Sequence, residues 1–175
     1  MSKNRQKLDR LARMAVLTAV LAASPALAQE RRGPSVEFKA GWIGFADDGI
    51  VNEGLVGGEA RFQLLPRVSV GPEIGYIRGH NHSHLVLTGN VTFDFLRPLD
   101  GRPRAMTPFF VVGGGMFQTR DRFFGEPFTS TEGAFTVGGG ARARVSDRVT
   151  IGAEARVGWE LHFRLNGTVG LRLGP

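Results

Sequence analysis

The sequence predicts an all-β fold, an eight-stranded antiparallel up-and-down transmembrane β-barrel behind an N-terminal signal peptide. Three observations carry this expectation. Apolar and polar residues alternate with period two over most of the chain after Ala28, as they do in strands with one apolar face. The alternating segments run about ten to thirteen residues, close to the 9–11 that a tilted membrane strand needs. The other face of these segments is charged, not merely polar.

The leader comes first. Lys3, Arg5, Lys7, Arg10 and Arg13 precede the apolar run Met14–Ala23, and Ser24-Pro25-Ala26-Leu27-Ala28 follows it. A basic start, a short apolar stretch and an A-x-A end form a secretory signal peptide, with cleavage expected after Ala28. The run is too short for a membrane-crossing helix, which needs about 20 residues. The leader holds five of the 22 bases and one of the 16 acids, so residues 29–175 carry a net charge of only +2. Nucleic acid is therefore not an expected partner. The chain has no Cys, which excludes disulfides, thiolate metal sites and a lipid-modified N-terminal Cys.

The barrel domain is expected over 29–175, with strands at Val36–Ala46, Leu55–Leu65, Val68–Arg78, His84–Leu96, Pro108–Gln118, Gly133–Val145, Val149–Trp159 and Phe163–Leu173. Turn residues separate them, among them Asp47-Asp48-Gly49, Pro66-Arg67, Gly79-His80-Asn81 and Ser146-Asp147. Pro66-Arg67 and Ser146-Asp147 are tight, whereas 47–54 and 119–132 read as longer outer loops; 97–106 is a long link on the other side. Short periplasmic turns and longer outer loops are the usual asymmetry. An even strand count returns both termini to the periplasm. Trp42, Phe45, Tyr76, Phe95, Phe117 and Trp159 lie toward strand ends, where interfacial aromatic girdles form.

With the apolar face toward lipid, the interior receives Glu37, Lys39, Glu59, Arg61, Glu73, Asp94, Arg142, Arg144, Glu154, Arg156, Arg164 and Arg172. These are seven cations and five carboxylates, near the balance that a packed polar core requires. An eight-stranded barrel is just wide enough for side chains to fill, so no diffusion pore is expected. Glycines on the same face leave room for long arginines. Parity alone leaves the inverse assignment open: a soluble periplasmic lipocalin-like barrel, polar outside, with a small apolar ligand within.

Two segments add a family resemblance. Pro108–Phe117 (PFFVVGGGMF) and the run from Ala134 through Trp159, with its Gly-rich strand, Ser-Asp turn and Glu154-x-Arg156, resemble the small outer-membrane barrel domain of the OmpA/OmpX type. The closing NGTVGLRLG is similar to that family's last strand. Members commonly finish on an aromatic residue, whereas this chain ends Leu173-Gly174-Pro175. The resemblance implies a cell outer-membrane location, and since the chain stops at the eighth strand no peptidoglycan-binding domain is expected to follow.

Chemistry is sparse. His80, His82 and His84 alternate with Asn81 and Ser83, and three imidazoles at that spacing suit a transition metal. No carboxylate lies beside them in sequence, so a solvated loop tip is preferred. His82-Ser83-His84 also invites comparison with barrel lipid hydrolases, but no third group orients a Ser–His pair. Glu154 and Arg156 read as part of a structural salt-bridge network. Gly113–Gly115 and Gly138–Gly140 read as close strand packing, not phosphate loops. Asp47, Asp48 and Asp121 are too few for calcium, and the Asn-x-Ser/Thr matches at 81, 90 and 166 read as chance. No catalytic residue, cofactor or metal is assigned. The expected role is structural or surface-interacting. Phe123, Phe124 and Phe128 are the candidate contacts, and outer-membrane lipid, lipopolysaccharide or an extracellular partner the expected company of a monomer.

Overall fold

The computed structural model of the chain describes residues 33–47, 49–79, 82–96, 105–123, 126–159 and 162–173. For 47, 49–50, 121–123 and 126–127 it describes the backbone alone. The expected leader, residues 1–28, lies outside the described residues, as do His80, Asn81 and Phe124.

Eight strands follow in order: β1 Ser35–Asp47, β2 Gly49–Leu65, β3 Val68–Arg78, β4 His82–Asp94, β5 Met106–Phe123, β6 Glu126–Arg144, β7 Val149–Gly158 and β8 His162–Arg172. Each pairs antiparallel with the next, and β8 pairs with β1, so the sheet closes into a barrel. Closure leaves no open edge around the wall, which is why strands can cross a bilayer at all. β3 covers the expected residues, and β1, β7 and β8 differ from expectation by single residues at their ends.

The largest corrections lie at one end of the barrel. β2 starts at Gly49, β5 runs to Phe123 and β6 starts at Glu126, so 47–54 and 119–132 are not long loops. They are hairpins whose ladders reach Asp47↔Gly49 and Phe123↔Glu126. The physical reason is that backbone groups still pair beyond the apolar band, where neither face meets lipid and the alternation lapses. The asymmetry between the ends therefore resides in strand length. His82, Ser83 and His84 likewise belong to β4, not to a loop.

The faces divide by side-chain parity. Phe38, Val56, Phe62, Ile74, Leu87, Val91, Phe110, Ile151, Leu165 and Val169 are exposed on the outer wall. Lys39, Glu59, Glu73, Glu154, Arg156 and Arg164 are buried inside. A soluble barrel cannot present that wall to water, which overturns the inverse, lipocalin-like assignment. Trp42, Tyr76, Trp159 and Phe163 form an exposed collar near the hairpin end, with the Trp42 and Phe163 rings 5.9 Å apart. Phe62, Phe93 and Phe95 mark the turn end. Phe45 and Phe117 depart from the girdle expectation: both point inward, against a buried cluster of Ile43, Leu55, Ile77 and Val86. Parity explains it, since Phe45 is in phase with Glu37 and Lys39.

Candidate functional site

The interior is stratified along the barrel. At mid-height Lys39 Nζ donates to three carboxylates, Glu59 at 2.5 Å, Glu73 at 2.8 Å and Glu154 at 3.1 Å. These groups come from β1, β2, β3 and β7, so one ammonium ties half the strands together. Arg156 reaches Glu73 and Glu154, each at 2.9 Å, and Arg164 pairs with Glu73 at 2.7 Å. Asn90 and Asn166 donate amide hydrogens to Glu73 and Glu154. Both asparagines are buried inside, so neither Asn-x-Thr match there is available for glycosylation. Arg61 joins the cluster through Glu37 at 3.0 Å and Glu59 at 2.9 Å.

Those ions balance: Lys39, Arg61, Arg156 and Arg164 face Glu37, Glu59, Glu73 and Glu154. Toward the turn end Arg142 pairs with Asp94 at 2.8 Å. Arg142 and Arg61 both lie over the Phe109 ring, at 4.2 and 5.5 Å from its centroid, in cation–π range. Phe109 was not expected inside, although its parity with Val111 and Gly113 places it there. The two surplus cations sit at the rim. Arg144 pairs with the exposed Asp147 at 3.3 Å, and Arg172 borders a cleft of about 100 Å³ with Glu37, Asp94 and Arg142. The excess of charge is thus kept where water solvates it.

Toward the hairpin end the character of the lining changes. Ile43, Leu55, Ile77 and Val86, from β1 to β4, form a buried apolar cluster with Phe45 and Phe117 packed against it. Above this apolar tier stand the histidines. His84 Nδ1 lies 3.0 Å from Thr119 Oγ1, and its ring packs 4.9 Å from Phe117 and 5.5 Å from Phe45. His162 Nδ1 meets the Trp159 carbonyl at 2.7 Å.

A carboxylate does stand beside the histidines, contrary to the sequence expectation. Glu53 of β2 contacts His82 Nε2 directly and lies 3.7 Å from His84 Nε2. It was missed because it falls in the segment read as a loop, and because β2 and β4 are brought together only by the register of β3 between them. Gly79 permits the meeting: a Cβ built there would collide with Glu53 Oε1 and with His82 Nε2. Ser83 alternates with His82 and His84 and so points to the opposite face of β4. Nothing in that geometry assembles a Ser–His pair.

The expected surface contacts lie on the β5–β6 hairpin. Phe128 is exposed, Phe123 closes the ladder opposite Glu126, its side chain lying outside the described residues, and Phe124 is outside them altogether.

Comparison with known proteins follows from this geometry. No curated protein sequence matches the chain. Among solved structures, Neisserial surface protein A is similar over 83% of this chain and 100% of its own, with a TM-score of 0.71 at 11% identity. The N-terminal β-barrel domain of Pseudomonas aeruginosa OprF is similar over 79% of this chain and 97% of its own, with a TM-score of 0.60 at 15% identity. Ail, the attachment invasion locus protein of Yersinia pestis, is similar over 83% and 100%, with a TM-score of 0.54 at 12% identity. At these identities the likeness is one of fold. The family model for the outer membrane protein beta-barrel domain matches residues 14–171. The chain therefore belongs to the outer membrane protein β-barrel domain family and is a protein of the cell outer membrane.

Proposed function

We propose that the protein acts by contact at the cell surface, as a closed and rigid barrel that presents its β5–β6 hairpin to an anionic glycan. The lipopolysaccharide of its own membrane is the first candidate, and an extracellular glycan the second. One observation carries the reading: β5 and β6 stay paired to Phe123↔Glu126, while the described pairing of β6 to β7 ends at Thr136↔Gly158. Glu126–Phe135 thus rises past its neighbour on one side, carrying the exposed Phe128, and Arg120 is exposed on β5. Phe128, paired with Asp121, and Arg120, paired with Thr129, present an aromatic ring and a guanidinium on the two faces of this one hairpin, a combination that suits a sugar bearing phosphate or sulfate. Ail has been crystallised with the heparin analogue sucrose octasulfate, a ligand of that chemistry.

The reading includes a signal peptide cleaved after Ala28, a monomeric barrel and no catalytic turnover. The filled interior supports a role other than passage, and the separation of Ser83 from the histidine face supports contact over hydrolysis. The test is binding of the detergent-folded barrel to immobilised lipopolysaccharide and to heparin. Phe128→Ser with Arg120→Gln should weaken binding on at least one surface without altering folding. Equal binding by the variant and the parent overturns the reading.

A further inference from the structure

The histidine cluster at the barrel mouth supports an inference independent of any glycan contact. We propose that Glu53, His82 and His84 form a site for a divalent transition-metal ion of borderline softness, zinc foremost. Their donor atoms all lie within 4.8 Å of one another. Two imidazole nitrogens and one carboxylate oxygen are the donor set that zinc takes when a fourth position is left for water or a ligand. In a tetrahedral zinc site, with bonds of about 2.0–2.1 Å, donor atoms stand about 3.4 Å apart. His84 Nε2 and Glu53 Oε2 are already 3.7 Å apart. Small side-chain rotations at His82 and Glu53, which touch each other directly, would admit the ion between them.

Three features separate this cluster from a chance gathering of polar groups. Glu53 is 4% exposed, and neither carboxylate oxygen has a well-formed hydrogen bond among the described residues. A buried carboxylate in that condition is costly unless a cation or a strong donor accompanies it. Secondly, Thr119 Oγ1 stands 3.0 Å from His84 Nδ1. With that hydroxyl accepting the Nδ1–H, the lone pair sits on Nε2, the nitrogen nearest Glu53, as ligating histidines are commonly held. Thirdly, Gly79 lies between β2 and β4, where any side chain would collide with both Glu53 and His82.

The surroundings fit the same role. The rings of Phe45 and Phe117 floor the site, and the apolar tier below separates it from the ionic core. His82 is the more exposed histidine, at 29% against 11% for His84, so the open coordination position lies toward the mouth. A bound ion would clamp β2 to β4 across β3 at the end of the barrel where the strands are least supported by neighbours.

The test uses the full barrel without a polyhistidine tag, folded in detergent and stripped with chelator. Zinc is titrated against a chromophoric chelator, and cobalt is added as a spectroscopic substitute. One zinc per chain is expected, with a cobalt absorption band of nitrogen-ligated, four- or five-coordinate type. Glu53→Gln, His82→Ala and His84→Ala should each weaken zinc binding by about a hundredfold or more, Thr119→Val by about 10–100-fold, and Gly79→Ala by less, since the added Cβ meets only the movable ends of Glu53 and His82. His80→Ala should leave affinity unchanged. The unboiled gel shift of each variant checks folding, and the cobalt spectrum of the parent chain stands without any variant. The proposal is overturned if the parent binds no zinc, or if His80→Ala abolishes binding that Glu53→Gln and Gly79→Ala leave intact.

Discussion

Arg164 on β8 pairs with Glu73 on β3 at 2.7 Å, although those two strands share no hydrogen bonds. The contact crosses the interior, and Lys39 and Arg156 meet the same carboxylate at 2.8 and 2.9 Å. Glu73 is therefore the point at which the ionic core is most connected.

Removing that carboxylate takes from Arg164 its partner at 2.7 Å and leaves Lys39 and Arg156 with one carboxylate fewer in a dry interior. Glu73→Gln should cost about 3–5 kcal/mol, the usual penalty for breaking a buried pair from one side. The readout is the temperature at which the folded band is lost on a detergent gel, which should fall. Adding Arg164→Met to Glu73→Gln should recover part of the loss, because one unpaired charge is then gone. Two losses that simply add would show that the residues do not interact.

The glycine run on β5 is expected to be unequal. A Cβ at Gly115 would overlap the Leu87 carbonyl oxygen and lie 2.7 Å from Thr88 Cα, while at Gly114 the nearest atom is 3.9 Å away. Gly115→Ala should destabilise the barrel by about 1–3 kcal/mol through overpacking against backbone, and Gly114→Ala should be near neutral. Denaturant unfolding in lipid vesicles measures both. Equal effects would contradict the packing described.

The outer wall makes a separate demand. Leu165 of β8, paired with Trp42 of the collar, is exposed on the lipid-facing side. Leu165→Arg should cost about 2–4 kcal/mol in a bilayer if it lies near the midplane, and less toward an interface. Unfolding from vesicles reads the difference, and a neutral or stabilising result would argue that this face meets water.

How much of this was legible in the sequence varies with height along the barrel. Within the apolar band, alternation such as Val149-Thr150-Ile151 and Phe163-Arg164-Leu165 separates two faces, and the strand length, the leader and the charge of the polar face assign the apolar one to lipid, so strands and interior ions could be named from residues alone. Above the band the signal fades. Gly49–Gly54 and Thr119–Glu132 carry no regular apolar alternation, because polar residues such as Glu53 and Thr119 face inward and Asn52 and Arg120 outward, yet their backbones still pair. Partner choice was also hidden. Glu53 meets His82 across the end of β3, where Gly79 follows Arg78, and which arginine meets Glu73 depends on the stagger of eight strands. Phe45 and Phe117 were readable in principle, since their parity is that of the interior residues, but position near a strand end drew them toward the girdle.

The filled cross-section predicts little passage. In planar bilayers the purified barrel should give no steady, porin-sized conductance steps, because an eight-stranded barrel is just wide enough for side chains to fill and this interior holds the ion network of Lys39, Glu59, Glu73, Glu154, Arg156 and Arg164 together with the apolar cluster of Ile43, Leu55, Ile77 and Val86. Large, persistent steps would contradict a closed lumen.

The central claim, a closed barrel with ions inside and its apolar face in the outer membrane, meets its most direct test in heat-modifiability. Membrane fractions are separated, and the protein is run on a detergent gel with and without boiling. The account predicts a faster-migrating unboiled band in the outer-membrane fraction. A single unshifted band in the soluble periplasmic fraction would contradict it.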